Sequence, residues 1–310
     1  MTTPPDALRA TYDRWREAGY LPQPSFAWRP ESWRKRLQST DIPNAEFTLT
    51  DCIQTIVERT AQPEDGSRPR IDRKLVTALH SPETLVVDGT YDEQAVVTAF
   101  LASMIWGYGT TGYGPYRTAR VLTSDPCAIA HLTETAERAQ ASADGGIDAF
   151  DHIAGSRKNT PYLKYLGPAF GTKFLYFLTA ASSTARTTPV MDAVVRRWFR
   201  THAGINLVTW RWEKGRYRTY LEALDAWKGE FTREDGTPFE RDDVELLIFS
   251  HSRGDDAVWD SAPVALSTDA LLDLLQGDID QIADRIDSPD GPALLQQLAD
   301  WVAHSGATDS

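Results

Sequence analysis

Residues 163–178 read LKYLGPAFGTKFLYFL, and residues 188–198 read TPVMDAVVRRW. Lys173 stands at the front of an apolar run, which predicts a helix that begins close to it. A helix N-terminus and apolar neighbours both disfavour an ammonium, so this position favours the neutral amine that acts as a nucleophile. The alternative is that the lysine head simply reaches water past its apolar stem.

The residues around Lys173 supply two further features. A Gly-Pro-X-X-Gly turn precedes it, and the backbone amides at the start of the following helix can hold a phosphate. The stretch Thr188–Met191 is predicted to be extended, and Asp192 is well placed to cap the helix after it. Capping alone would be a sufficient reason for an aspartate at that position.

Helical periodicity extends along almost the whole chain, and strand-like alternation is scarce. The chain is therefore predicted to be all-α, with Asp92 capping a strongly apolar helix. The predicted helices cover residues 6–19, 31–38, 47–60, 70–79, 93–106, 116–123, 126–142, 145–154, 160–166, 171–182, 192–203, 214–228 and 241–251.

Changes in composition divide the chain into three regions. Residues 1–90 are expected to be a helical region that packs on the core, residues 91–260 the core, and residues 261–310 an acidic helical appendage. The appendage fits two interpretations, a solvated cap on the core or an acidic segment that competes for a basic face.

The charge is unevenly distributed. The chain carries a net charge of −12, yet residues 151–220 hold twelve Lys and Arg against three Asp and Glu. A basic segment inside an acidic chain is a possible footprint for a polyanion such as nucleic acid. The same arginines could instead pair with acids elsewhere in the fold.

Other residue types argue against several classes of protein. Cys52 and Cys127 lie far apart, which suggests neither a disulfide framework nor a zinc site, and the six histidines show no metal-ligand spacing. No apolar run is long enough to cross a bilayer, and residues 1–9 lack the pattern of a secretion signal. These features predict a cytoplasmic protein without a membrane partner or a metal.

The lysine and aspartate segments resemble the helix-hairpin-helix DNA glycosylase superfamily, and most closely its 8-oxoguanine DNA glycosylase branch. In that family a Gly-Val-Gly-Thr-Lys turn carries the catalytic lysine, and a Pro-Val-Asp segment supplies the catalytic aspartate at the spacing found here. Gly171-Thr172-Lys173 and Pro189-Val190 match. Ala169 stands where the first hairpin glycine is usual, and Met191 adds one residue before Asp192.

The resemblance extends to residues 245–253. The late helix of these glycosylases reads and stacks the extruded base with a Gln and a Phe four residues apart, which implies a stacking role for Phe249 and a base-reading role for Glu245. A carboxylate offers acceptors only, so Glu245 could take both N1–H and N2–H of a guanine-type edge. Taken alone, Phe249 could equally be a core residue and Glu245 a surface acid.

For the whole protein, the resemblance implies two helical subdomains that flank a DNA-binding cleft with a helix-hairpin-helix motif. Lys173 and Asp192 would be catalytic, in a DNA glycosylase with AP lyase activity on double-stranded DNA. The excised base would be damaged or modified and of guanine type, with 8-oxoguanine as the first expectation. Phosphates would be held by the hairpin and by nearby arginines, at Gly167, Phe170, Gly171, Thr172, Arg196, Arg197 and Arg200.

Two further expectations follow from the resemblance. No cofactor is needed, although carbonyls of the hairpin could hold a monovalent cation. The alternative function is a non-catalytic DNA-binding or regulatory protein on the same fold.

Overall fold

A computed structural model of the chain describes residues 3–43, 45–60, 68–109, 112–155 and 163–252. The predicted appendage at 261–310 lies outside the described residues. Within them the chain is all-α, as predicted, with thirteen α-helices and two small two-stranded antiparallel sheets. The helices are α1 (Asp6–Glu17), α2 (Pro30–Leu37), α3 (Leu49–Arg59), α4 (Arg73–Leu79), α5 (Pro82–Leu85), α6 (Glu93–Tyr108), α7 (Gly114–Thr123), α8 (Ala128–Ala141), α9 (Gly145–Ala154), α10 (Pro168–Ala180), α11 (Ala193–Trp198), α12 (Lys214–Lys228) and α13 (Arg241–Ser252).

Each sheet pairs two strands of two residues. In the first, β1 (Phe26–Ala27) pairs with β2 (Arg70–Ile71); in the second, β3 (Val86–Val87) pairs with β4 (Thr90–Tyr91). The first sheet shortens a predicted helix, because residues 70–71 form a strand and the Asp72 carboxylate then caps α4 by accepting from the Leu75 amide at 2.7 Å. The expected helix at 70–79 therefore begins three residues late.

Two predicted helix bounds beside Lys173 are wrong. The helix expected at 171–182 begins at Pro168, where the fixed φ of proline suits the first helical position. The sequence predicts a helix at 160–166, of which the structure describes residues 163–166. These residues and Gly167 form a turn instead, in which Tyr165 adopts a positive φ of 68°.

The centre of the core is α6. Its eleven residues from Val96 to Trp106 are all buried, so the helix is apolar on every side rather than amphipathic. Asp92 caps it as predicted, accepting from the Ala95 amide at 2.7 Å. Six other helices contact α6, namely α3, α4, α5, α7, α8 and α10.

The helices of the predicted site lie against this centre. Along α10, the residues from Gly171 to Thr179 are buried, and the helix packs against α4, α6, α8 and α9. The helix α13 contacts α1, α11 and α12. None of the described helices has both the length and the apolar character needed to span a membrane. The two subdomains with a cleft between them stay a prediction.

Candidate active site

The helix α10 buries the side chain of Lys173. Because α10 begins at Pro168, the lysine lies in the second turn and not at the helix start where the sequence placed it. The effect of the helix dipole is concentrated in the first turn, so it contributes little at this position. Lys173 is only 6% exposed, which rules out the alternative in which its head reaches bulk water.

The buried lysine faces the predicted aspartate. Its Nζ donates to Asp192 Oδ2 at 3.0 Å and to the carbonyl of Ala169, one turn back on α10, at 3.1 Å. The same nitrogen lies 5.2 Å from the centre of the Phe170 ring. The two residues predicted to be catalytic are thus in direct contact inside the protein.

The two oxygens of Asp192 have separate partners. While Oδ2 accepts from Lys173, Oδ1 accepts from the amides of Val194 and Val195 at 3.1 and 3.2 Å and caps α11. Burial alone would raise the pKa of Asp192, but the lysine and the two amides outweigh it and hold this pKa below its ordinary value. Asp192 therefore caps α11, as predicted, and contacts Lys173 at the same time.

The extended segment before Asp192 is fixed from both sides. From α10, the Thr172 hydroxyl accepts from the Met191 amide at 3.0 Å. From α12, the hydroxyls of Tyr217 and Tyr220 donate to the carbonyls of Pro189 and Val190 at 3.0 and 2.9 Å. These bonds position the carboxylate through the backbone on which it is carried.

Two glycines allow close packing around the lysine. A Cβ on Gly107 would lie 2.6 Å from Lys173 Cδ and 3.0 Å from the Phe170 ring. A Cβ on Gly171 would lie 2.2 Å from the ring of Trp212, whose indole N–H donates to the Leu166 carbonyl. At both positions a Cβ would force the neighbouring side chain to move.

The hairpin residues predicted to hold phosphate are largely occupied by contacts within the protein. The amides of Phe170 and Gly171 donate to the Gly167 carbonyl at 3.2 and 2.8 Å, and Pro168 has no N–H. The Phe170 ring stacks on Tyr108 with centroids 4.0 Å apart. The Thr172 side chain is fully buried, so it orients the aspartate segment instead of facing a ligand.

The three predicted arginines lie on α11 and the π-helical turn that continues it, Phe199–Ala203. Arg196 lies over the Trp210 ring at 5.1 Å. Arg196 and Arg197 are half-buried, and Arg200 is exposed. All three follow Asp192 within eight residues, so the basic side chains and the carboxylate belong to one structural element.

On α13, Glu245 and Phe249 are one helical turn apart and share a face. Phe249 is half-buried. Glu245 is buried, so its interpretation as a surface acid is wrong, and its Oε2 accepts from Arg73 at 2.8 Å. Burial raises the pKa of Glu245 despite the arginine beside it.

Arg73 was not predicted, and α4 places it against Glu245, 172 residues further along the chain. No local motif marks it, because its partners lie in the loop before β1 and on α6, α10 and α13. Gly107 lies near the end of α6, and its contact with Lys173 was not predicted from the sequence. Among the described residues, no group of three or more His, Cys, Asp or Glu side chains is arranged to hold a metal ion.

No curated protein and no solved structure matches the chain significantly. A family described as "Putative 8-oxoguanine DNA glycosylase OGG-like protein" matches residues 19–249, about three quarters of the chain. This match confirms the resemblance drawn from the Lys173 and Asp192 segments, and it includes every residue of the candidate site. The chain belongs to this 8-oxoguanine DNA glycosylase OGG-like family.

Proposed function

We propose that the protein is a DNA glycosylase with AP lyase activity that removes a damaged or modified base of guanine type, such as 8-oxoguanine, through a Schiff base on Lys173. The observation that carries this proposal is the buried contact of 3.0 Å between Lys173 Nζ and Asp192 Oδ2, in a chain of the OGG-like family. A lysine and an acid paired in this way supply a nucleophile together with a group that can take its proton.

The chemistry begins with the lysine. Before Nζ can attack, it must lose a proton, and the nearest acceptor is the Asp192 carboxylate. The nitrogen then forms a bond to C1′ of the sugar as the glycosidic bond breaks, and the bonding electrons leave with the base, which takes up a proton. Asp192 passes the proton from Nζ to the departing base, and the carboxylate, negative again, stabilises the positive charge that develops at C1′.

Strand cleavage follows from the same covalent intermediate. Opening of the sugar ring gives an iminium between Nζ and C1′, which acidifies the hydrogen on C2′. Removal of that proton expels the 3′ phosphate, and water then releases the lysine. No metal takes part in these steps, and a monovalent cation bound to hairpin carbonyls stays a prediction.

The other predicted site residues would bind the DNA backbone and the extruded base. A base must leave the stack before C1′ is accessible, at a cost of a few kcal/mol that phosphate contacts offset. Arg196, Arg197 and Arg200 carry the positive charge for those contacts, next to the catalytic carboxylate in the chain. The half-buried Phe249 is the proposed stacking surface for the extruded base.

The test is borohydride trapping on duplexes that carry single lesions or an abasic site. We expect a covalent complex with the wild-type protein and none with Lys173→Gln. Lys228→Gln is the matched control, because this lysine pairs with Asp225 and Glu240 at the surface and should trap normally. Asp192→Asn retains a capping side chain but lacks the charge, so it should fold and trap slowly.

The outcome also separates the two classes of function. Salt-sensitive DNA binding without any covalent product, unchanged by Lys173→Gln, would overturn the enzyme proposal and indicate the non-catalytic alternative.

A further inference from the structure

A buried polar cluster lies beside the catalytic pair, with Arg73 at its centre. The guanidinium donates from one terminal nitrogen to Glu245 Oε2 at 2.8 Å and from the other to the Tyr176 hydroxyl at 3.2 Å. Its Nε donates to Gln23. Every nitrogen of this guanidinium is thus held in a fixed direction.

Aromatic rings fix the guanidinium further. Its central carbon lies 5.4 Å from the Trp106 ring and 4.9 Å from the Tyr176 ring. The Arg73 side chain is 17% exposed, whereas the Glu245 side chain is 2% exposed. Arg73 is therefore the more exposed partner of this ion pair.

The cluster adjoins the site of chemistry. Tyr176 follows Lys173 by one turn on α10, so the two side chains lie on neighbouring parts of one helix face. Trp106 immediately precedes Gly107, which packs against the lysine stem. The Asp192 carboxylate also contributes to raising the pKa of Glu245, so the two acids interact electrostatically.

Burying an arginine and a glutamate costs free energy that packed apolar residues would not cost. If the pair served only to stabilise the fold, each of its N–H donors would be expected to have an acceptor within the protein. Here the five N–H groups of Arg73 make three hydrogen bonds within the described residues, which leaves one N–H on each terminal nitrogen. Glu245 Oε1 likewise has no donor among the described residues.

We propose that Arg73 and Glu245 together read the six-membered ring of the extruded base, and that they select a ring carbonyl next to a ring N–H. This inference rests on the proposed function. Arg73 donates to the carbonyl oxygen, and Glu245 Oε1 accepts from the ring N–H, which are O6 and N1–H in a guanine-type base. Adenine-type and cytosine-type edges present the opposite pattern, an amino donor next to a bare ring nitrogen, and each would leave Arg73 and Glu245 unpaired.

From the sequence, Glu245 was expected to accept hydrogen bonds from both N1–H and N2–H of the base. In the structure Oε2 already accepts from Arg73, so only Oε1 is left for the base, and Arg73 supplies the donor that a glutamate lacks.

The test compares base excision with trapping on an abasic duplex, which needs Lys173 but no base. The substrates are duplexes with 8-oxoguanine or hypoxanthine, which carry the carbonyl and N–H edge, and with 8-oxoadenine, which carries the amino edge. We expect the wild-type protein to excise 8-oxoguanine or hypoxanthine at least about 100-fold faster than 8-oxoadenine, since a site built to bond one edge rejects the other strongly.

Variants of the pair complete the experiment. Arg73→Met should lose about 100-fold or more in excision yet trap on abasic DNA within about threefold of wild type. The double variant Arg73→Met with Glu245→Gln removes the unpaired buried charge, so it should fold and show the same split. Arg70→Met is the matched control, because Arg70 bonds to Ser25 outside the cluster and should leave both activities unchanged.

Three results would overturn the inference. The first is excision by Arg73→Met at the wild-type rate. The second is wild-type excision that favours 8-oxoadenine, or that removes neither 8-oxoguanine nor hypoxanthine while abasic trapping persists. The third is loss of abasic trapping in the folded double variant, which would make the cluster a support for Lys173. Failure of the wild type to trap any substrate would instead overturn the proposed function.

Discussion

Adding one methyl group at Gly107 should separate catalysis from stability. In Gly107→Ala the new Cβ would lie 2.6 Å from Lys173 Cδ, whereas carbon atoms in contact rest about 3.5–4.0 Å apart. The lysine stem must therefore move by roughly 1 Å, and Nζ leaves its position beside Asp192. A misplacement of about 1 Å can cost on the order of 100-fold in rate.

The same substitution should cost little stability. Alanine is favoured over glycine in a helix by about 1 kcal/mol, and a flexible lysine side chain can give way to the methyl group. We expect the free energy of unfolding to stay within about 1 kcal/mol of wild type, a shift of a few degrees at most in the melting temperature.

The assay measures the rate of borohydride trapping on an abasic duplex together with thermal unfolding of the same samples. Gly215→Ala is the control, because this residue lies in the first turn of α12 and its Cβ would meet nothing within 4 Å. Trapping by Gly107→Ala at the wild-type rate would refute the reasoning, since Lys173 would then not depend on this packing for its position.

Two further predictions concern stability. Thr172→Val leaves the buried Met191 amide without its acceptor and should destabilise the fold by about 1–3 kcal/mol in denaturant unfolding, whereas Thr172→Ser should recover most of the loss. Burial lowers the pKa of His80 from 6.5 to about 3, so the neutral ring is the folded form and stability falls as the pH drops below 6.5. By pH 5 we expect a loss of about 2 kcal/mol relative to pH 7, and His80→Asn should remove that part of the pH dependence; equal slopes for both proteins would contradict it.

The pairing of Lys173 with Asp192 could be predicted from the sequence because it depends on patterns in two short segments. The apolar run after the lysine sets a helix, the aspartate caps the next one, and the spacing between them is that of a known family. The start of α10 was placed too late, although Pro168 is the residue type that most often occupies a first helical position. Weighting that proline over the Gly-Thr-Lys motif would have corrected the error.

The Arg73 cluster could not be predicted in this way. Arg73, Tyr176 and Glu245 come from helices far apart in the chain, and a buried ion pair leaves no periodic trace in any one of them. Burial excluded only the alternative in which Glu245 is a surface acid, because the sequence does not show the arginine that pairs with it. The short strands were missed for a related reason, since two residues are too few to alternate.

The two oxygens of Asp192 link the proposed chemistry to the first turn of a short helix. Helix ends open more readily than helix centres, and α11 has only six residues before its π-helical turn. Fraying of that end would release Oδ1 from its two amides and let the carboxylate swing away from the amine. Mild heat or denaturant would then abolish the activity while the rest of the molecule is still folded. Loss of activity would therefore measure the local unfolding of the first turn of α11.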